Sequence, residues 1–508
     1  MTLLLLLLAC GDKTSDDSGT GDGGGTDGGA TDGGTDGGGD GGGTDGGGTD
    51  GGGTDGGGTA GDGGGTGDGG ADGGGTGDGG GADGGTEALF SEVEVALHPE
   101  IRSLLTVTWT QSEATTSWVE VEIDPGVWSP SPAVARAAGE GTQIVVGVPY
   151  DHTVNLRVVD EHGHESETRS ATTGVLPVGF PGWSLLASEP DLWEPTGHFL
   201  LGSINGDTGG WDEGQYWMWV IDRQGRLVWA KPGVDEHFTI YLRQSLDGDI
   251  LWDVSTYWSD FDGGAGSQIH RMKLDGVITE TIDAPGMHHC FIELPDRSIL
   301  WGAATSDSEV LIRRNLDGSE DTVWDCRPFY DELGLTDWCH TNSIFYSDER
   351  DTLLLSFPTD RTFVAEVDYA TGQELRWFGH IPGAWDFDPP GSAFEYQHGA
   401  TWTDAGTLLL SSQRSPSSIE GVVREYELDE EAQVLRELWS FGEGDGIDAR
   451  YAGEAHRLPG GNTLHNTGTT PRVREITPDG VVVWDLEFRG YRLIGRTTWV
   501  EDLYSLAP

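Results

Sequence analysis

Beyond residue 179, apolar and polar residues alternate along most of the chain in short runs broken by Asp, Gly and Pro. That is the pattern of half-buried strands joined by tight turns. One unit recurs six times: an alternating run, a turn carrying Asp or Gly, then a second run that tends to end near Trp. The copies are WMWVIDRQGRLVWAKPG from Trp217, SQIHRMKLDGVITETIDAPG from Ser267, EVLIRRNLDGSEDTVWDC from Glu309, RTFVAEVDYATGQELRWFGH from Arg361, GVVREYELDEEAQVLRELWSFG from Gly421 and PRVREITPDGVVVWDLEF from Pro471. Each reads as a hairpin. The segments between them, such as YLRQSLDGDILWD, FIELPDRSILWG, ATWTDAGTLLLSS and HRLPGGNTLHNTG, supply two further strands per copy. Hardly any segment carries the 3.6-residue period of a helix.

A four-stranded unit repeated about every 50 residues predicts a β-propeller. Six copies over residues 179–508 predict six blades. A long sandwich would use similar strands, but nothing in it would require so even a spacing. Three histidines fall at one place in successive copies: His289 in MHHCFIELPDRSIL, His340 in WCHTNSIFYSDERDTLLL and His398 in YQHGATWTDAGTLLL. Equivalent positions on the innermost strands of a propeller face one channel, so the three are expected to meet on its axis. Near them in the chain are His288, Asn342, Arg361 and Arg414. Residues two apart on a strand share a face, which would turn His340 and Asn342 to one ligand. Imidazoles and guanidinium groups without matching carboxylates suit an anionic group. Three converging imidazoles would also suit a divalent metal. The repeat register favours His289 over His288.

Residues 88–177 carry a separate pattern, with LLTVTWTQ, SWVEVEID, TQIVVGVP and HTVNLRVVDEHG as alternating strands at sandwich spacing. This stretch resembles a fibronectin type III domain, with Trp109 and Tyr150 at expected core positions and no catalytic cluster. The expected fold class is therefore all-β, an N-terminal fibronectin type III-like β-sandwich followed by a six-bladed β-propeller.

The first 87 residues are a different polymer. Leu3 to Leu8, Ala9 and Cys10 form a short apolar run ending in a lipobox-like Leu-Leu-Ala-Cys, so residues 1–10 read as a lipoprotein-type signal segment with Cys10 as the lipidated residue. An ordinary secretory signal is the alternative, although the run is short and lacks a basic n-region. Residues 11–87 are almost only Gly, Asp, Thr, Ser and Ala. With no apolar side chains to bury, they read as a disordered tether, roughly 50 Å in mean span for a Gly-rich coil. The expected location is the bacterial cell envelope, lipid-anchored, periplasmic or at the cell surface. A formal charge of −58 makes nucleic acid and anionic membrane surfaces poor partners. Cys326 and Cys339 bracket a short loop directly before His340. Either a disulfide joins them and fixes that histidine's approach, or they are two buried thiols.

Most of residues 179–508 resembles the bacterial arylsulfate sulfotransferases. The likeness rests on HHCFIELP, on DWCHTNSIFYS followed by DTLLLSF, on the QH pair before Gly399, and on LPGGNTL with ITPDGVVVWDLEF. It implies a periplasmic or secreted six-bladed propeller that moves a sulfuryl group from an aryl sulfate donor to a phenolic acceptor, through a covalent sulfohistidine and without cofactor or metal. Carried over by motif, His398 is the expected nucleophile, while His289, His340 and Asn342 bind sulfuryl oxygens and help the phenol leave. One position departs from the family, which has an arginine directly after the LLLSF-like stretch where this chain has Pro358. Arg361, three residues later, is the candidate replacement, and His288 and Arg414 are candidate substrate-binding neighbours. Two other functions fit the same residues: a non-catalytic surface propeller that binds an anionic or aromatic ligand, and a metal-dependent hydrolase or lyase. The loop between His380 and Tyr396, rich in Pro, Trp and Phe, is expected to line the channel mouth.

Overall fold

The structure, a computed structural model, describes residues 88–206, 214–259, 262–306, 308–336, 338–358, 362–490 and 492–508. Cys10, the tether and Arg361 lie outside the described residues. Residues 87–508 form one compact unit built almost entirely of strands. Among the described residues no helix is long and apolar enough to cross a membrane.

Each of the six recurring hairpins is the outer half of an antiparallel sheet. In blade 3, Glu309–Arg314 pairs outward with Glu320–Asp325, while Ile299–Ala304 and then Met287–Glu293 complete the sheet inward. Blade 2 runs in the same way from Leu242–Gln244 to Ile278–Asp283, and blade 4 from Ser343–Ser347 to Glu374–Gly379. Blade 5 runs from Glu395–Trp402 to Val434–Phe441 and carries a short parallel strand, Asp386–Asp388, on its outer edge. Neighbouring innermost strands touch: Ser343–Ser347 lies against both Met287–Glu293 and Glu395–Trp402, and the latter against Glu454–Arg457 of blade 6.

Blades 1 and 6 are completed across the seam by the two ends of the propeller. The innermost strand of blade 1 is Ile494–Val500, paired with Phe199–Asn205. The outermost strand of blade 6 is Trp183–Ser188, paired with Val482–Phe488. Both ends of the ring are thus hydrogen-bonded into the opposite end. The blades adhere through apolar clusters that straddle them. One holds Tyr241, Phe291, Trp301, Trp324, Phe357 and Phe363 from blades 2, 3 and 4. Full burial of each such aliphatic or phenyl side chain contributes roughly 1.5–3 kcal/mol, so adhesion between blades is mainly hydrophobic.

Residues 90–172 form two sheets over one core that includes Val107, Trp109, Val119 and Leu156. This sandwich docks on the propeller. Ile101, Leu104 and Val146 share a cluster with Leu201, Met218, Trp229 and Trp252. Tyr150, expected in the sandwich core, packs instead with Leu227 and Ala230 of blade 1, and its backbone N–H donates to Leu227 O at 3.1 Å. Arg226 bridges Asp222 of blade 1 (2.7 Å) and Asp124 of the sandwich (3.0 Å).

Candidate active site

The histidines meet where the innermost strands begin. His288 and His289 are consecutive on Met287–Glu293, and a regular strand would turn them to opposite faces. The pairing with Ile299–Ala304 slips between Met287 and Phe291, and this bulge lets both imidazoles reach one chamber. Their ring centroids are 5.1 Å apart, and the His340 ring lies 5.1 Å from His288 and 4.6 Å from His289, stacked on the latter. Register slips flank His398 as well, on both sides of its pairing with Ser411. The next residue, Gly399, has φ +62°, and a Cβ there would stand 2.7 Å from Glu454 Cβ. Only glycine fits that turn at low cost, and the turn sets the direction of His398.

His340 and Asn342 are not on a strand, as their spacing suggested. They lie in the loop that precedes Ser343–Ser347. A disulfide joins Cys339 to Cys326 at the head of the helix Cys326–Glu332, so His340 is anchored at the residue before it. One amide N–H of Asn342 donates to the carbonyl of Gln397 at 2.8 Å, while its Oδ1 is buried without a partner. Asn342 therefore holds the His398 bulge with one of its two amide N–H groups, and its buried Oδ1 is an acceptor.

Aromatic rings wall the chamber. Trp258 lies 5.5 Å from His289 and 6.2 Å from His340, and its indole N–H donates to the His288 carbonyl at 2.9 Å. Trp338 lies 4.7 Å from His340, and Tyr257 5.2 Å from His288. In the segment 380–396, Trp385 and Phe394 are buried in the core of blade 5 with Tyr426, while the Tyr396 ring lies 5.6 Å from His398.

Burial sets the charge state. It pushes His398 down to about 3, reinforced by the Arg496 guanidinium and opposed by the Tyr396 carbonyl. It pushes His288 down to about 4. His289 and His340 are held well below the ordinary imidazole range by burial and by the other rings. All four are neutral at pH 7. His398 Nδ1 lies 3.3 Å from the Tyr396 carbonyl. A carbonyl only accepts, so Nδ1 carries the proton and Nε2 the lone pair. Behind His288 stands Glu309, fully buried, with Oε2 at 3.4 Å from His288 Nε2 and accepting from the Thr341 N–H at 2.7 Å. Burial pushes its carboxyl up to about 8. Glycine at 302 is required beside it, since a Cβ would sit 2.3 Å from Glu309 Oε1.

Arg496, buried on the closing strand, donates from Nη2 to Asn342 O at 3.1 Å and from Nη1 to Gly453 O at 3.0 Å. It also lines a cavity of about 510 Å³ with Arg243, Glu454, His456 and Thr498. Arg414, by contrast, is taken up by Glu420 (3.2 Å) and Glu443 (2.7 Å), with 45 % of its side chain exposed. Ligating nitrogens of His288, His289 and His340 all lie within 4.8 Å of one another, so these three are the residues able to hold a metal. The structure therefore brings together His288, His289, His340 and His398, with Asn342 behind them, and leaves Arg414 aside. Glu309, Arg496 and the aromatic wall went unread in the sequence. Glu309 opens a recurring hairpin and Arg496 sits on a strand with no repeat signature, so neither position stood out.

No curated protein matches the chain. Among solved structures, a protein of unknown function from Bacteroides caccae is 16% identical with a TM-score of 0.39, covering 57% of this chain and 94% of its own. A streptogramin B lyase is 14% identical with a TM-score of 0.32, covering 59% and 86%. Virginiamycin B lyase from Staphylococcus aureus is 12% identical with a TM-score of 0.32, covering 63% and 100%. The arylsulfotransferase (ASST) family model matches residues 304–489, the stretch that holds Glu309, His340, Asn342 and His398. Over those residues, the chain is similar to the arylsulfotransferase family.

Proposed function

We propose that the protein is an aryl sulfotransferase that carries the sulfuryl group on His398 between an aryl sulfate donor and a phenolic acceptor. The observation that carries this reading is the tautomer of His398. With Nδ1–H committed to the Tyr396 carbonyl, Nε2 is an unprotonated nucleophile inside a chamber of three further neutral imidazoles. Nε2 attacks sulfur; the N–S bond forms as the bond from sulfur to the aryl oxygen breaks, and that electron pair leaves on the phenolate. The phenolate takes up a proton through a neighbouring imidazole. A bound sulfate ester carries a negative charge that favours the protonated form of the ring facing it. In the second half, the acceptor phenol gives its proton to the same imidazole and its oxygen attacks sulfur, and the N–S electrons return to Nε2. Trp258, Trp338 and Tyr257 supply flat apolar surface for the aryl ring.

The test is turnover of 4-nitrophenyl sulfate with phenol as acceptor, followed by intact-mass analysis of protein quenched without acceptor. Phenol release matched by sulfated acceptor, an adduct of one sulfuryl group on His398, and loss of both in His398→Ala are expected. Turnover that persists in His398→Ala overturns the role of that residue.

A second reading has its own observation, the grouping of His288, His289 and His340 nitrogens. It predicts stoichiometric zinc or cobalt in the purified protein and activity lost to chelator, whereas sulfuryl transfer on His398 predicts indifference to chelator. The proposal extends to the rest of the chain: Cys10 as a lipid anchor, residues 11–87 as a tether and a fibronectin type III-like sandwich as a spacer at the cell envelope. Mass analysis of the N-terminal peptide for diacylglyceryl-modified Cys10 tests the anchor.

A further inference from the structure

The four imidazoles are neutral and bring no charge to receive a sulfate ester, and position 358 is Pro where the family it resembles has a basic residue after the LLLSF stretch. We infer that Arg496 is the cation that meets the sulfuryl oxygens in this protein. The inference rests on the sulfuryl-transfer reading for its chemistry, but its core claim, an anion contact made by Arg496, is separately measurable.

The placement carries the argument. Arg496 lies on Ile494–Val500, the innermost strand of blade 1, and its guanidinium reaches the two segments that present the histidines. Nη2 is bonded to the carbonyl of Asn342, two residues from His340. Nη1 lies 3.2 Å from where a Cβ on Gly399 would stand, beside His398. The guanidinium lies 5.7 Å from the Tyr241 ring centroid. Two neutral carbonyls, Asn342 O and Gly453 O, fix its orientation without cancelling its charge. Its carboxylate neighbour, Glu454, is 3.5 Å away and held ionised against its burial by His456 and by Arg496 itself, so it offsets part of the guanidinium's charge. The field that remains still reaches the histidines, since Arg496 contributes to holding both His398 and His289 unprotonated. A fixed guanidinium in a water-poor site stabilises charge spreading over transferring oxygens more than a mobile cation would. It has a second effect, since the same field keeps Nε2 of His398 free of a proton.

The experiment uses the full chain and two readouts, with wild type, Arg496→Gln and Arg496→Lys checked for folding by thermal melt. The first is equilibrium binding of 4-nitrobenzenesulfonate, which carries the three oxygens and the aryl ring but cannot transfer its sulfuryl group. The second is kcat/KM for 4-nitrophenyl sulfate against pH. Expected are a loss of sulfonate affinity of tenfold or more in Arg496→Gln, a fall in kcat/KM of about a hundredfold and an acid limb moved to higher pH. Arg496→Lys keeps the charge without the planar fork and falls between the two. Wild-type turnover with an Arg496→Gln variant that is folded and unchanged in both readouts overturns the inference alone. Sulfonate binding that depends on Arg496 in a wild type that turns over no aryl sulfate overturns the transferase reading and leaves the anion contact standing. If Arg496→Gln does not fold, Arg496→Lys with wild-type affinity, rate and acid limb overturns the claim that the fork matters.

Discussion

The Tyr396 carbonyl and the burial of His398 together decide at what pH the site works. An exposed histidine nucleophile loses activity as pH falls through about 6.5. His398 is held at about 3, so protonation of the nucleophile is expected to cut kcat/KM only well below pH 5. A pH–rate profile with its acid midpoint near 6.5 would sink this assignment. The same depression has a cost in stability. A histidine whose folded pKa lies below its unfolded value binds fewer protons when folded, so stability drains away as pH falls from about 6.5 toward the folded values. His288 and His398 both act in this direction, and the melting temperature is expected to fall steadily below pH 6. Glu309 works the other way. Its folded carboxyl, near 8, holds a proton that the unfolded chain releases near 4.5, so stability is lost as pH rises between those values. Glu309→Gln removes that loss, since a neutral amide oxygen still accepts from the Thr341 N–H. The melting temperature of the variant, relative to wild type, is expected to be higher at pH 8 than at pH 5. A difference that stays constant with pH shows that Glu309 does not titrate there. The repeat register pointed to His289, His340 and His398 together, and the structure stacks His340 on His289, although His340 arrives from a loop and not from a strand. That His288 shares the chamber was not legible in the sequence, because it depends on a bulge that leaves no mark on the alternation of residues.

At the scale of elements, the loop from Cys326 to Cys339 delivers both His340 and Trp338 to the chamber, and the disulfide closes it over a separation of 13 residues. A crosslink over so short a loop is worth about 3 kcal/mol on the chain-entropy account. Cys326→Ser is therefore expected to lower the unfolding midpoint in urea and to weaken turnover, with wild type under reducing conditions behaving alike. A variant with an altered midpoint but full activity shows that packing alone holds His340. The recurring hairpins were readable because each is local: two runs, a turn and a partner a few residues away. The strands that close the ring were not. Leu200 pairs with Trp499, and Ala187 with Asp485, across almost the whole propeller, and no local pattern announces such a partner. Arg496 was hidden for the same reason, since its place at the axis exists only once Ile494–Val500 is recognised as an innermost strand.

For the whole molecule, the sandwich is more than a spacer hung on the propeller. Leu104, Ile101 and Val146 fill a cluster with Trp229 and Met218, so removing residues 88–177 uncovers apolar surface on blades 1 and 2. The chain beginning at residue 178 is expected to melt at a lower temperature than the full chain and to aggregate more readily; equal melting temperatures rule out a stabilising role for that contact. The seam has a further consequence, one that concerns time. A chain is made from its N-terminus, and until residues 494–500 are present the strand Phe199–Asn205 has an open edge, blade 1 lacks its inner wall and Arg496 is missing from it. The ring is thus closed only after the strands of all six blades have been made. A copy cut short just before residue 494 keeps every histidine in the sequence and still has no finished vessel to place them in.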